Sequence, residues 1–218
     1  MTTSQPEGFL ALPPTGKGPA VLVLHAWWGL NDTIKAVCTR LADAGFTAFA
    51  ADLYHGKVAA TIPEAEVLGG TVDANFQQVR AEVAEAAKFL SERAGRTDLA
   101  VVAFSLGAFF ALDLSTTHPE LIRDVVVFYG TAGTMPLDFG KSKAGYLGHF
   151  AADDPYEPRS NADGLEQALK NAGRPVTFHR YAGTGHWFFE PDRPDAYNPA
   201  AAKLAWERTL SFLKHSQA

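Results

Sequence analysis

Leu99-Ala100-Val101-Val102-Ala103-Phe104-Ser105-Leu106-Gly107, continuing as Ala108-Phe109-Phe110-Ala111-Leu112-Asp113-Leu114-Ser115-Thr116, is the stretch that decides how this chain folds. Its first six residues form a short, unbroken apolar run with two valines, the pattern of a strand covered on both faces. From Leu106 to Thr116 the chain is apolar nearly all round at helical spacing, which places that helix in the middle of a fold rather than on its surface. A buried strand feeding a buried helix through a one-residue polar turn is the unit of a parallel sheet.

Working outward, the same alternation repeats. Ala20 to His25 and Phe46 to Ala51 read as buried strands, and between them Asp32 to Ala44 reads as a helix capped by Asn31 or Asp32 and stopped by Gly45. Tyr54 to Asp73, with Gly56, Pro63, Gly69 and Gly70, reads as a long irregular loop. Phe76, Val79, Val83, Ala87 and Leu90 then mark an amphipathic helix ending near Gly95. Asp124 to Tyr129, Ala144 to Phe150 and Val176 to Tyr181 read as strands. Arg159 to Asn171 and Ala200 to Lys214 read as helices, the latter carrying Trp206, Leu210 and Leu213. The expectation is an α/β protein of one domain over residues 1–218, with a mostly parallel sheet flanked by helices on both faces and no large lid.

Composition narrows the function classes. With 218 residues, 47% hydrophobic and 20% charged, the chain has the balance of a globular protein with a sizeable core. A formal net charge of −5 and the lack of a basic patch speak against nucleic acid or an anionic membrane surface as partner. Cys38 is the single cysteine and falls on the buried stripe Ile34, Val37, Cys38, Leu41, so it reads as a small core residue. Met1 to Leu12 lacks a basic segment followed by an apolar run, and no apolar stretch nears the roughly 18 residues of a membrane span. A cytoplasmic protein, monomer or homodimer, is expected.

In such a sheet ligands bind beyond the carboxyl ends of the strands, and three polar groups fall there. Ser105 stands between small residues, Ala103 two before and Gly107 two after, as a nucleophile elbow requires because larger side chains would collide in so tight a turn. His186 lies in the loop Gly183-Thr184-Gly185-His186-Trp187-Phe188, where glycines let an imidazole turn towards a neighbouring strand end. Asp154, in Ala151-Ala152-Asp153-Asp154-Pro155, is placed to orient that imidazole. Each has an ordinary reading alone: a helix N-cap, a surface histidine, an Asp-Asp-Pro turn. Their order along the chain, Ser then Asp then His at the ends of successive strands, is that of the α/β-hydrolases.

The oxyanion hole needs two backbone N–H donors, assigned to Leu106 and to Trp27 in the loop His25-Ala26-Trp27-Trp28-Gly29-Leu30-Asn31. Trp28, Trp187 and Phe188 are expected to wall an apolar pocket, against the alternative that they are core aromatics. The other six histidines show no metal-ligand spacing and phosphate loops are lacking, so neither metal nor cofactor is expected.

These segments resemble the dienelactone hydrolase family over nearly the whole chain. They are His25–Asn31, Ala51-Asp52-Leu53-Tyr54, the Phe104–Gly107 elbow, Asp154 with Pro158, the Tyr181–His186 loop and the closing Trp206–Leu213. The resemblance implies hydrolysis of a small-molecule ester or lactone without a cofactor. It also exposes departures. The family proper uses a cysteine nucleophile where this chain has Ser105, and a glutamate where it has Ala26. The family's arginines for a substrate carboxylate have no match here: Glu190 follows His186, Lys57 is the cation of the Tyr54–Asp73 segment, and only an Arg193 folded back towards the site would counter this reading. A carboxylesterase or lactonase acting on neutral substrates is expected. Its rivals are a thioesterase or small-peptide hydrolase on the same residues, and a ligand-binding relative without turnover.

Overall fold

The computed structural model describes residues 4–215; Met1–Thr3 and Ser216–Ala218, the outermost ends of the expected domain and of the Met1–Leu12 segment, lie outside the described residues. Seven strands form one sheet: β1 (Gly8–Ala11), β2 (Ala20–Leu24), β3 (Thr47–Ala51), β4 (Leu99–Phe104), β5 (Ile122–Phe128), β6 (Gly145–Ala151) and β7 (Val176–Tyr181). Their order across the sheet is β1-β3-β2-β4-β5-β6-β7, all neighbours parallel except β1, which runs antiparallel to β3. The helices are α1 (Asp32–Asp43), α2 (Ile62–Ala74), α3 (Phe76–Ala94), α4 (Leu106–Thr117), α5 (Arg159–Asn171) and α6 (Pro199–His215).

Alternate side chains of each strand leave on opposite faces, and each face has its own core. Leu22, Leu24, Val101, Val125 and Val127 pack against Val83 and Leu90 of α3, Leu112 of α4 and Leu169 of α5. Val21, Val23, Val102, Phe104 and Val126 pack against Ile34, Val37 and Leu41 of α1 and Trp206 and Leu213 of α6. Every residue of β2 and β4 is buried, which is why both read as continuous apolar runs. Cys38 sits in the second core, where burial pushes its thiol up to about 12, far from a reactive thiolate.

Two segments differ from the sequence reading. The Tyr54–Asp73 stretch is not all loop, since it contains α2. Its glycines and Pro63 suggested breaks, but proline is tolerated in a helix's first turn, where its missing N–H costs nothing. The helix buries a narrow stripe of small residues, Ala65, Gly69 and Val72, too weak to register as amphipathic. The overlooked signal was Thr61-Ile62-Pro63-Glu64, a capping box in which Thr61 Oγ1 accepts from Glu64 N–H and Glu64 Oε2 accepts from Thr61 N–H. Strand β1 also went unread, being a half-buried antiparallel edge strand without a continuous apolar run.

Strand order reverses between β2 and β4, with β3 lying to one side of β2 and β4 to the other. Loops from the two strands diverge there and leave a crevice at the carboxyl end, the general ligand position in such sheets.

Candidate active site

At the end of β4 the chain turns through Ser105 with φ 46° and ψ −114°, a conformation that a residue with a side chain rarely adopts. Such strain costs of order 1–3 kcal/mol and persists only where the surroundings over-determine it. Here the Ser105 N–H donates to Phe128 O at 2.9 Å, tying the turn to β5. Two glycines then leave room for it. A Cβ on Gly107 would lie 2.7 Å from Leu24 O, and one on Gly130 would lie 2.4 Å from Ser105 O. The strained turn lifts the Ser105 hydroxyl off the sheet and aims it at the crevice.

The loops after β6 and β7 are tied together by Asp153 N–H donating to Thr184 O at 3.2 Å, while Thr184 Oγ1 donates to Tyr181 O. This brings His186 and Asp154 face to face. His186 Nε2 stands 2.8 Å from Ser105 Oγ, and His186 Nδ1 stands 2.7 Å from Asp154 Oδ2. The remaining oxygen, Asp154 Oδ1, accepts from the N–H groups of Tyr156 and Glu157, both at 2.9 Å. With its acceptors committed in this way the carboxylate places the imidazole proton on Nδ1 and leaves the Nε2 lone pair for the serine hydroxyl. Asp153, by contrast, is exposed. Leu106 is the first residue of α4, so its N–H has no acceptor within the helix. None of the hydrogen bonds among the described residues uses the N–H of Leu106 or of Trp27.

These groups open into a cleft of about 670 Å³. Trp27, Trp187 and Tyr156 line it around His186, and Phe76, Phe109 and Phe110 line it as a second aromatic group. Trp187 lines the cleft, whereas the expectations for Trp28 and Phe188 are corrected: both are core residues. Trp28 packs behind Trp187 with ring centroids 5.0 Å apart, and Phe188 is wedged between Tyr129 and Tyr181. Trp27, chosen for its backbone, also contributes its side chain to the cleft. Sequence reasoning missed Val72, Phe76, Phe109, Met135, Tyr156 and Glu157; Val72 was hidden because the segment up to Asp73 was read as loop, and Phe76 because it counted only as part of a helix's apolar stripe.

The charges near the site are not those the sequence suggested. Glu190 does not face the cleft: it is fully buried and accepts from Tyr129 Oη at 2.6 Å, and Tyr129 in turn lies against His186 with ring centroids 4.9 Å apart. Arg193 does not reach the cleft either, for its guanidinium lies 3.7 Å over the Trp28 ring. Lys57 is exposed outside it. The carboxylates lining the cleft are Asp73 and Glu157, the latter accepting from Thr131 N–H and Oγ1, and among the described residues no lysine or arginine lines it.

Burial pushes the Glu190 carboxyl up to about 8, against the opposing pull of the Tyr129 hydrogen bond. The folded protein therefore holds this proton more tightly than the unfolded chain, whose carboxyl keeps the ordinary value of 4.5. Its contribution to stability is complete below that value and declines as pH rises towards 8, by up to about 1.4 kcal/mol per pH unit. His25 and His149, buried with pKa values pushed down, act in the opposite direction at lower pH. Comparison with Glu190→Gln isolates the carboxyl: urea midpoints of the wild type should fall relative to the variant between pH 5 and 8. Parallel curves would show that Glu190 is ionised in the fold.

A serine on a strained strand-to-helix turn, an imidazole and a carboxylate, each at the end of a later strand of this sheet, define an α/β-hydrolase. Residues 7–217 match the dienelactone hydrolase family, and the chain belongs to it. It is 30% identical to "Protein usf" of Aquifex pyrophilus, over 95% of this chain and 92% of that one. It is 32% identical to a Bradyrhizobium sp protein named "Probable 2-oxo-3-(5-oxofuran-2-ylidene)propanoate lactonase", over 94% and 88% of the two chains. Among solved structures, a dienelactone hydrolase-like promiscuous phosphotriesterase from metagenomic libraries superimposes with a TM-score of 0.82 at 22% identity, covering 91% of this chain and 87% of that one.

Proposed function

We propose that this protein hydrolyses small, neutral carboxylic esters or lactones through an acyl-enzyme on Ser105. The observation that carries this reading is the unbroken chain of hydrogen bonds from Ser105 Oγ through His186 to Asp154, opening into an apolar cleft. Ser105 Oγ attacks the carbonyl carbon as its proton passes to His186 Nε2. The tetrahedral oxyanion is held by the N–H groups of Leu106 and Trp27, helped by the positive end of α4. His186 then returns the proton to the leaving alcohol, and water repeats the sequence to release the acid. Asp154 keeps the proton on Nδ1 and stabilises the imidazolium. The family's lactonase and hydrolase names support the class of bond.

Preference for neutral substrates follows from charge. A substrate carboxylate would enter a cleft lined by Asp73 and Glu157 with no cation to meet it. Unpaired desolvation and repulsion cost about 1–3 kcal/mol, or roughly tenfold to a hundredfold in kcat/KM. The test is a panel of p-nitrophenyl esters and simple lactones that includes matched pairs with and without a free carboxylate. Turnover with the neutral member favoured by that factor is expected. No turnover at all would overturn the activity, and a preference for the anion would overturn the charge argument alone.

A further inference from the structure

The cleft is larger and more aromatic than cleaving a small acyl group requires. One end of it is a box of three phenylalanines. Phe76 opens α3, while Phe109 and Phe110 stand one turn beyond Leu106 on α4, so the box begins where the oxyanion donor ends. The ring centroids lie 5.2 Å apart for Phe76 and Phe109, 5.8 Å for Phe76 and Phe110, and 5.3 Å for Phe109 and Phe110. Phe109 and Phe110 meet nearly at right angles, at 86°, and Phe76 lies tilted against both. Phe110 is buried, but Phe76 and Phe109 are only half-buried and line the same cleft as Ser105. Val72 from the end of α2 and Leu106 extend the apolar wall.

Half-buried aromatic rings at the edge of an otherwise packed core leave apolar faces in water, and a third party with a flat apolar surface would cover them. The helix α2 is seated to form this wall. Gly69 approaches the Trp27 indole so closely that a Cβ would lie 2.8 Å from Trp27 Nε1, which holds the α2–α3 corner, and with it Val72 and Phe76, over the cleft. A butyryl chain cannot fill a space of about 670 Å³, whereas ring-bearing groups are the size for which such apolar pockets are built.

We infer that Phe76, Phe109 and Phe110 form a subsite for an aryl group carried by the ester or lactone substrate, so that the natural substrates are neutral aryl-bearing esters. This rests on the hydrolase reading above but makes a separate claim about recognition. Covering a phenyl ring removes on the order of 100 Å² of apolar surface from water, which at about 25 cal/mol per Å² sets the full gain at about seventyfold in kcat/KM, with about tenfold as the least expected for partial cover.

The experiment has two series and a binding arm. In the acyl series, p-nitrophenyl phenylacetate is compared with p-nitrophenyl acetate; in the alcohol series, 2-phenylethyl acetate is compared with ethyl acetate. The aryl member should lead by about tenfold or more in one series, and that series identifies which side of the scissile bond lies in the box. Phe109→Ala should collapse this ratio to within about threefold, with Phe109→Leu intermediate because it keeps the apolar volume and loses the ring. The third arm follows binding of phenylacetamide and acetamide to the Ser105→Ala protein by tryptophan fluorescence, since Trp27 and Trp187 line the cleft. It reads the box whatever the chemistry does, and phenylacetamide should bind at least tenfold more tightly. Ester turnover with no aryl preference in either series would overturn the subsite and leave the hydrolase standing. Equal binding of the two amides would overturn it too, while tighter phenylacetamide binding without turnover would keep the subsite and remove the hydrolase.

Discussion

Ser105→Ala is expected to lower kcat/KM for p-nitrophenyl acetate by a factor of about 10⁴ or more, with the thermal midpoint nearly unchanged. The loss is large because the nucleophile and base act as a unit: without the hydroxyl, His186 Nε2 has no proton to take and the oxyanion donors have no tetrahedral intermediate to hold. The fold should tolerate the change. The turn at φ 46° is held by main-chain contacts, Ser105 N–H to Phe128 O and the close approaches at Gly107 and Gly130, and none of these involves the hydroxyl. An alanine keeps the same Cβ in the same strained conformation. A fluorophosphonate probe should label the wild type at Ser105 with matching loss of turnover. Activity of the pure variant within tenfold of wild type would remove Ser105 from the reaction.

Asp154→Asn should lower kcat by about 10³–10⁴, while Asp153→Asn changes it by less than about twofold. The two carboxylates are neighbours in sequence and opposites in environment. Asp154 places Oδ2 2.7 Å from His186 Nδ1, and its side chain is 4% exposed; Asp153 points to solvent. Asparagine at 154 can keep its carbonyl oxygen towards the N–H groups of Tyr156 and Glu157, so the loop survives. The amide group then facing Nδ1 is a donor. It favours the proton on Nε2, where the base must be empty, and it provides no charge to stabilise the imidazolium. Steady-state kinetics with urea midpoints for both variants separate the cases. The opposite ranking would place the orienting acid one residue earlier.

Much of this protein was legible in one dimension because its central parts obey local rules. Strands β2 and β4 are covered on both faces, so their sequences are unbroken apolar runs. Ser105 could be singled out because the elbow demands small neighbours whatever surrounds it, and Asp154 and His186 because ligand-facing residues follow strand ends in a parallel sheet. The failures have a common cause. Helix α2 buries only Ala65, Gly69 and Val72 against its neighbours, and close packing on Trp27 makes a glycine the right residue where intrinsic preference reads a break. Trp28 and Phe188 differ from Trp27 and Trp187 only in which way the loop turns, which no pattern of residue types encodes.

By itself, then, the sequence determined the fold class, the order of the strand-helix units and the three residues that meet at the crevice, since periodicity and turn sterics act over a few neighbouring residues. Tertiary structure alone decided which side chains face the substrate and which charges do so. Glu190 shows why. Its position four residues after His186 suggests a carboxylate at the pocket, but the turn closed by Glu190 N–H on Trp187 O carries it into the protein. There it meets the Tyr129 hydroxyl, and burial raises its carboxyl well above the ordinary carboxylate range. Burial and partner are set by segments 61 residues apart along the chain, and they reverse what the side chain would contribute to binding.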